Sequence, residues 1–176
     1  MRRSKKDWFE VGLKVLGENG LSSLTIEKLT MDLGVTKGSF YHHFKNVEDF
    51  QRGLITYWGD QYLSTSSNIP DDSDELRSLL DTIMEKSFAG LTEPELTIRV
   101  WAHQDEIVHS VVEQVDSVRG EFVFKVFRSI VESDETARIM TDILSTMLIG
   151  SMMVFPRMSP DRVKGLYLEF KRLYRL

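Results

Sequence analysis

Apolar positions recur along most of this chain at steps of three and four residues, and the breaks in that rhythm fall at glycines, prolines and small polar clusters. Ile26, Leu29 and Leu33 share one helical face behind Thr25, a threonine placed to cap it, and Gly34 stops the pattern where a left-handed turn residue is needed. A second apolar set, Val35, Phe40 and Phe44, starts at once behind Thr36 and leaves Lys37, Gly38, Ser39, Tyr41 and His42 on the opposite side. The spacing therefore predicts two short helices joined by a tight turn. Asn46 caps a following helix that carries Val47, Phe50, Leu54, Tyr57, Trp58 and Tyr62. The polar run from Ser64 to Asp74, with Pro70 inside it, reads as a loop, and Leu76, Leu79, Leu80, Ile83, Met84 and Phe88 then form an amphipathic helix closed by Gly90. Thr92 and Glu95, around Pro94, open a short helix that runs through Trp101. A long pattern covers about Gln104 to Glu132, a helix capped by Ser133 reaches about Phe155, and Ser159 with Pro160 begins a last one ending near Tyr174. No strand alternation or repeat competes, so the expected fold class is all-α.

The polar face of the second short helix has a chemistry of its own. A helix fits the major groove of B-DNA, and its first turn comes closest to the base edges, so small and hydrogen-bonding residues belong there. Thr36, Lys37, Gly38 and Ser39 are the candidates for base proximity. Glycine costs roughly 1 kcal/mol relative to alanine inside a helix, so Gly38 suggests close approach by something, and DNA backbone is the natural candidate. Thr25, Tyr41, His42 and Lys45 supply hydroxyl, imidazole and ammonium groups that suit phosphates and would fix register.

From Trp8 to about Phe50 the chain resembles the TetR family of transcriptional regulators, in register and without a gap. WFEVGLKVLGENGLSSLT looks like the family's opening helix, with Gly20 at its end and the Thr25 cap beyond. LGVTKGSFYHHFKNVEDF is similar to its most recognisable run, a Gly-Val-Ser/Thr-Lys-Gly core leading to Tyr, His and Phe and then to Lys and an acidic pair. Thr30 and Leu33 depart from the small alanines usual there, and Leu24 replaces one of two adjacent threonines. The resemblance implies an N-terminal three-helix DNA-binding domain with a helix-turn-helix, residues 1–50, and a C-terminal helical regulatory and dimerisation domain, residues 51–176. It also implies repression relieved by a small molecule.

Length and charge fit that division. The 176 residues suffice for a DNA-binding module and one companion domain. The net charge of −5 is uneven: residues 1–50 hold eight Lys/Arg against seven Asp/Glu, +1, which leaves fourteen against twenty, −6, for the rest. Arg2, Arg3, Lys5 and Lys6 crowd the first six positions, where a mobile arm would reach phosphate and a frayed terminus would be merely solvated. Without cysteine there are no disulfides, thiolate metal sites or cysteine nucleophiles. No apolar stretch approaches a membrane span or a signal sequence, so no membrane association is expected and the cytoplasm is the default compartment.

The last two helices are more apolar than a monomer of this size needs. Ile139, Ile143, Met147 and Val154, with small Gly150 and Ser151, face one way on the first, and Val163, Leu166, Tyr167, Phe170, Leu173 and Tyr174 stripe the second. Part must be internal core. The resemblance implies that the two helices of each subunit build a four-helix homodimer interface, and a twofold pair would read a near-palindromic operator with half-sites about 34 Å apart or a multiple of that. Met84, Phe88, Trp101, Phe122 and Met147 could line an effector cavity with His103 as an orienting polar group, although aromatic residues at helical spacing are commonly core. His103, Glu106 and His109 at three-residue steps raise an alternative, a helical metal-binding enzyme, but a single cluster falls short of a di-metal bundle, so no metal or cofactor is expected. Nor is there a phosphate-cradling glycine loop or a nucleophile elbow, so no enzyme activity is expected. A third class is a helical interaction module that does not bind DNA.

Overall fold

The computed structural model describes residues 3–63, 70–89, 93–154, 156 and 158–174, with side chains described throughout except at 86–89 and 93. Among these residues every regular element is helical, in the order α1 (Lys5–Asn19), a 3-10 turn (Leu21–Ser23), α2 (Ile26–Leu33), α3 (Lys37–Tyr41), α4 (Val47–Leu63), α5 (Ser73–Ala89), α6 (Glu93–Ala102), α7 (Glu106–Arg128), α8 (Asp134–Met153) and α9 (Pro160–Tyr174). The chain forms two compact units, Met1–Ser64 with Thr92–Val115, and Thr65–Leu91 with Asp116–Leu176. These units do not follow the division expected at residue 50. Compactness instead groups α4, α6 and the start of α7 with the first three helices, because Leu54, Trp58, Ile98, Trp101, Val108, Val112 and Val115 are buried in one core with Trp8 and Leu16.

Several helix ends follow directly from sequence. Ser4 accepts from the Asp7 N–H while the Asp7 carboxylate accepts from the Ser4 N–H at 2.6 Å, a capping box that starts α1. The Thr25 hydroxyl accepts from the Lys28 N–H at 3.2 Å and starts α2. Gly34, at φ +65°, takes the left-handed conformation that ends α2, and the Val35 N–H closes the turn on the Thr30 carbonyl at 3.0 Å. Asn46, Ser133 and Ser159 accept from the N–H groups of Asp49, Thr136 and Arg162 at the starts of α4, α8 and α9.

Some boundaries lie elsewhere than the periodicity suggests. The pattern read from Gln104 to Glu132 yields a shorter α7, because the Asp105 carboxylate accepts from the N–H groups of Ile107 and Val108 and sets the start later. Ser73 and Asp74, read as loop, are helical, because the Asp72 carboxylate accepts from the Asp74 and Glu75 N–H groups. The expected roles of Gly90, Thr92 and Phe155 lie outside the described residues.

The first unit is built around an aromatic block. Trp8 of α1, fully buried, meets Phe40 edge-on at 5.5 Å and Phe44 at 6.1 Å, and Phe44 meets Phe50 of α4 at 5.1 Å. The family departures fit this core: Leu24 and Leu33 are buried in it, and the buried Thr30 hydroxyl donates to the Ile26 carbonyl at 2.7 Å. Gly12 lets α1 and α4 approach. A Cβ there would lie 2.6 Å from the Phe50 ring tip and 3.1 Å from a Leu54 methyl.

The second unit has its own core, with Leu76, Leu80 and Met84 of α5, Phe122, Val126 and Phe127 of α7, Met140 and Leu144 of α8, and Val163, Tyr167 and Phe170 of α9. The α9 stripe read from sequence thus divides. Val163, Tyr167 and Phe170 face inward, whereas Leu166, Leu173 and Tyr174 are exposed, as are Ile139, Ile143 and Val154 around α8. Among the described residues no helix is long and apolar enough to cross a membrane.

The Gly12 contact gives a stability test. Gly12→Ala gains helix propensity of about 1 kcal/mol but drives a methyl into a fully buried phenyl ring, a strain of roughly 1–3 kcal/mol. Urea denaturation should show a net loss of stability, whereas Gly165→Ala, with open space around its Cβ, should show none.

Candidate nucleic-acid interface

The turn between α2 and α3 brings the proposed DNA face together. Thr25, Thr36, Lys37, Gly38, Tyr41, His42 and Lys45 are exposed and Ser39 is half-buried, while Phe40 between them is fully buried. α3 itself spans only five residues, but helical hydrogen bonding continues into the following turn, from the His42 N–H to Gly38 at 3.2 Å and from the Phe44 N–H to Phe40 at 3.0 Å. Tyr41 and His42 therefore stay in helical succession with the first turn.

Thr36 stands at the capping position with extended backbone, yet its hydroxyl makes no capping hydrogen bond, contrary to the role read for it. Its carbonyl accepts from the Ser39 N–H at 3.0 Å. Gly38 is unusual for a different reason. Its φ is not positive, and a Cβ built on it would meet nothing nearer than the Thr36 hydroxyl at 3.7 Å, an ordinary contact. Neither backbone conformation nor internal crowding requires glycine here.

The electrostatics of this face include a residue that sequence reading missed. Glu27, in the first turn of α2, pairs with Lys37 across the turn, and both side chains are largely exposed. The hydrogen bond with Lys37 holds the Glu27 carboxyl below its usual range and raises the Lys37 ammonium correspondingly. Ten residues of separation through a turn concealed the pair; an acid in the first turn of α2 was the available signal. Lys28 pairs with Asp32 at 2.9 Å, so both lysines of α2 and α3 already have acidic partners. Lys45 has no ion pair among the described residues.

The basic amino terminus is not an extended arm over its described part. Lys5 and Lys6 belong to α1, Lys5 lying over the Phe44 ring and Lys6 near Glu10, because the Ser4–Asp7 capping box starts the helix early. Arg3 donates to the Leu33 carbonyl at the end of α2, at 3.3 Å, and Arg2 lies outside the described residues.

The effector candidates are divided between the two cores. Met84, Phe122 and Met147 pack in the core of the second unit, Trp101 belongs to the core of the first, His103 is exposed, and the Phe88 side chain lies outside the described set. The metal alternative loses its geometry. His103 sits in a turn before α7 and so is not a helical step from Glu106 and His109, and among the described residues no group of three or more acidic or histidine side chains is placed to hold a metal ion.

A buried-backed, exposed short helix after a glycine-closed turn defines a helix-turn-helix protein. Residues 9–50 match the family model described as bacterial regulatory proteins, tetR family. The repressor KstR2 of Rhodococcus jostii is 20% identical over 110 residues, 62% of this chain and 53% of that protein. A TetR transcription regulator from Haloarcula marismortui has the same fold, with a TM-score of 0.73 at 18% identity over 94% of this chain and 95% of its own. A transcriptional regulator from Saccharomonospora viridis, solved in complex with choline, gives 0.70 at 13% identity over 96% and 95%. The aligned region spans from a fifth to about half the length of the curated relatives it matches. The match to the family model covers residues 9–50, and together with the shared fold it supports a DNA-binding transcription regulator of the TetR kind.

The Glu27–Lys37 pair predicts a titration behaviour. Because the folded chain favours the ionised carboxylate, whatever the pair adds to stability is present above the ordinary glutamate value of 4.5 and is lost as pH falls through the lowered one. Carboxyl-detected NMR should find Glu27 titrating below that value, and Lys37→Gln should move it back up; an unmoved Glu27 would show that the pair does not persist in solution.

Proposed function

We propose that this chain is a homodimeric, sequence-specific DNA-binding repressor of the cytoplasm that reads a palindromic operator with α3 and leaves it when a small molecule binds. The observation that carries the reading is Gly38, a helical glycine on an exposed face that no atom of the described residues demands. Its cost to the helix is intelligible if the phosphodiester backbone must come within contact distance of that turn. Thr36, Lys37 and Ser39 then lie next to base edges, and Thr25, Tyr41, His42 and Lys45 hold phosphates. The Thr25 hydroxyl still has acceptor and donor capacity beyond its cap, since a hydroxyl offers one proton and two lone pairs. Lys37 must exchange Glu27 for DNA, so each half-site gives up one protein ion pair.

Dimerisation is supported by the exposed apolar residues of α8 and α9. Ile139, Leu166 and Leu173 are 51%, 39% and 63% exposed, on helices whose opposite faces already fill the core. At Gly150 a Cβ would meet open space, so among the described residues nothing uses the closeness that glycine permits. The relative named as a repressor and the choline-bound neighbour support repression and an effector of low molecular weight. An effector acts through its differential affinity for DNA-competent and incompetent states.

Selection from random DNA should recover a near-palindrome, and fluorescence titration at stated salt should then measure its affinity. Lys37→Ala with Tyr41→Ala should weaken that affinity by roughly tenfold or more and flatten its salt dependence. Gly38→Ala should weaken it as well while leaving the free protein as stable or up to about 1 kcal/mol more so. Unselective binding that vanishes near physiological ionic strength, or full affinity in the Lys37/Tyr41 double variant, would remove the reading. Analytical ultracentrifugation should find a dimer that Leu173→Glu with Leu166→Glu converts to monomer, since two like-charged carboxylates would be buried on each side. A monomeric wild-type chain would overturn the dimer.

A further inference from the structure

The facing sides of α5 and α9 in the second unit carry a row of paired charges. Glu85 meets Lys164 at 2.7 Å, and Asp81 accepts from both Lys171, at 2.7 Å to each carboxylate oxygen, and the Tyr167 hydroxyl at 2.8 Å. One turn earlier on α5, Arg77 breaks the row. Its Nε is buried and has no hydrogen-bond partner, and its guanidinium makes no ion pair among the described residues. Arg77 lines a cavity of about 140 Å³ together with Asp81, Tyr167 and Lys171, whose apolar wall includes Leu80 and Phe127.

A buried donor without a partner is uncommon in folded proteins, and one on a charged group costs more than a neutral one. The charge around the cavity makes the same point. Lys171 and Asp81 neutralise each other, and Tyr167 adds none, since burial and the neighbouring Asp81 push its phenol far above the usual tyrosine range and keep it protonated. One positive charge is left, on a planar fork suited to donating two parallel hydrogen bonds to a carboxylate. A dianion would exceed that charge and face Asp81. The leucine and phenylalanine wall favours an apolar body behind the anionic group.

We propose that this cavity binds a small monocarboxylate, its carboxylate on Arg77 and its apolar body against Leu80 and Phe127. That the occupant is the effector rests on the repressor reading above; that it binds does not, and the test is made on the full chain without DNA. Isothermal calorimetry and thermal unfolding with acetate, butyrate and the neutral isostere butyramide read the site. Butyrate should bind saturably, more tightly than acetate, and raise the melting temperature, and butyramide should do neither. Arg77→Gln should weaken butyrate binding by about tenfold or more without lowering the melting temperature of the free chain, since it removes a charge with no partner. Should Arg77→Gln fail to fold, Arg77→Lys, which keeps the charge and loses the fork, should still bind butyrate more weakly than the wild type. Lys14→Gln, in the first unit, should bind it unchanged. The site is overturned if butyrate does not saturate, if butyramide binds equally, or if every Arg77 variant that folds binds as the wild type does. Failure here leaves selective DNA binding intact as a separate measurement, and absence of an operator leaves carboxylate binding intact.

Discussion

The packing of Phe40 against Trp8, Phe44 and Phe50 is the interaction on which the proposed DNA face depends. A five-residue helix has no stability of its own, since nucleating a helix costs more than so few hydrogen bonds return. α3 exists because its single inward ring is fully buried among aromatic side chains from α1, α4 and the turn that follows it. The same burial determines orientation: with Phe40 fixed, Lys37, Gly38 and Tyr41 point outward by helical geometry alone.

Around that anchor the polar groups are arranged with little charge to spare. Lys37 and Lys28 are both matched by carboxylates, which neutralises these two charges in the free protein. Such pairs at exposed positions contribute little to stability, so they oppose DNA binding only weakly. They nevertheless hold a long side chain in one direction before contact. For a protein whose overall charge is −5, binding to a polyanion has to come from local arrangement, and the weak positive balance of the first fifty residues is consistent with that.

The second unit shows the complementary arrangement. Its core uses one face of each of α5, α8 and α9, and the remaining faces split into exposed apolar residues on α8 and α9 and a charged row between α5 and α9. Leu166 and Tyr167 are sequence neighbours with opposite fates, one 39% exposed and the other 4%, because a step of about 100° around α9 separates them. Apolar character alone could not tell these roles apart. Position around the helix did.

The helices, their order and the recognition turn were legible in the chain because they rest on local chemistry: a threonine that caps, a glycine that accepts positive φ, and apolar spacing near the helical repeat. Ends set by side chains were less legible, as Asp105 and Asp72 show by moving the starts of α7 and α5. Effector candidates such as Trp101 and Met84 were chosen for being large and apolar, a property that core and cavity share, and folding placed them in different cores. Sequence by itself therefore determined which segments coil and which side of α3 is polar, since both are decided within a few residues. Only the tertiary structure decided that Glu27 meets Lys37 and that Arg77 meets no carboxylate among the described residues, because those outcomes depend on how separate helices come to lie against one another.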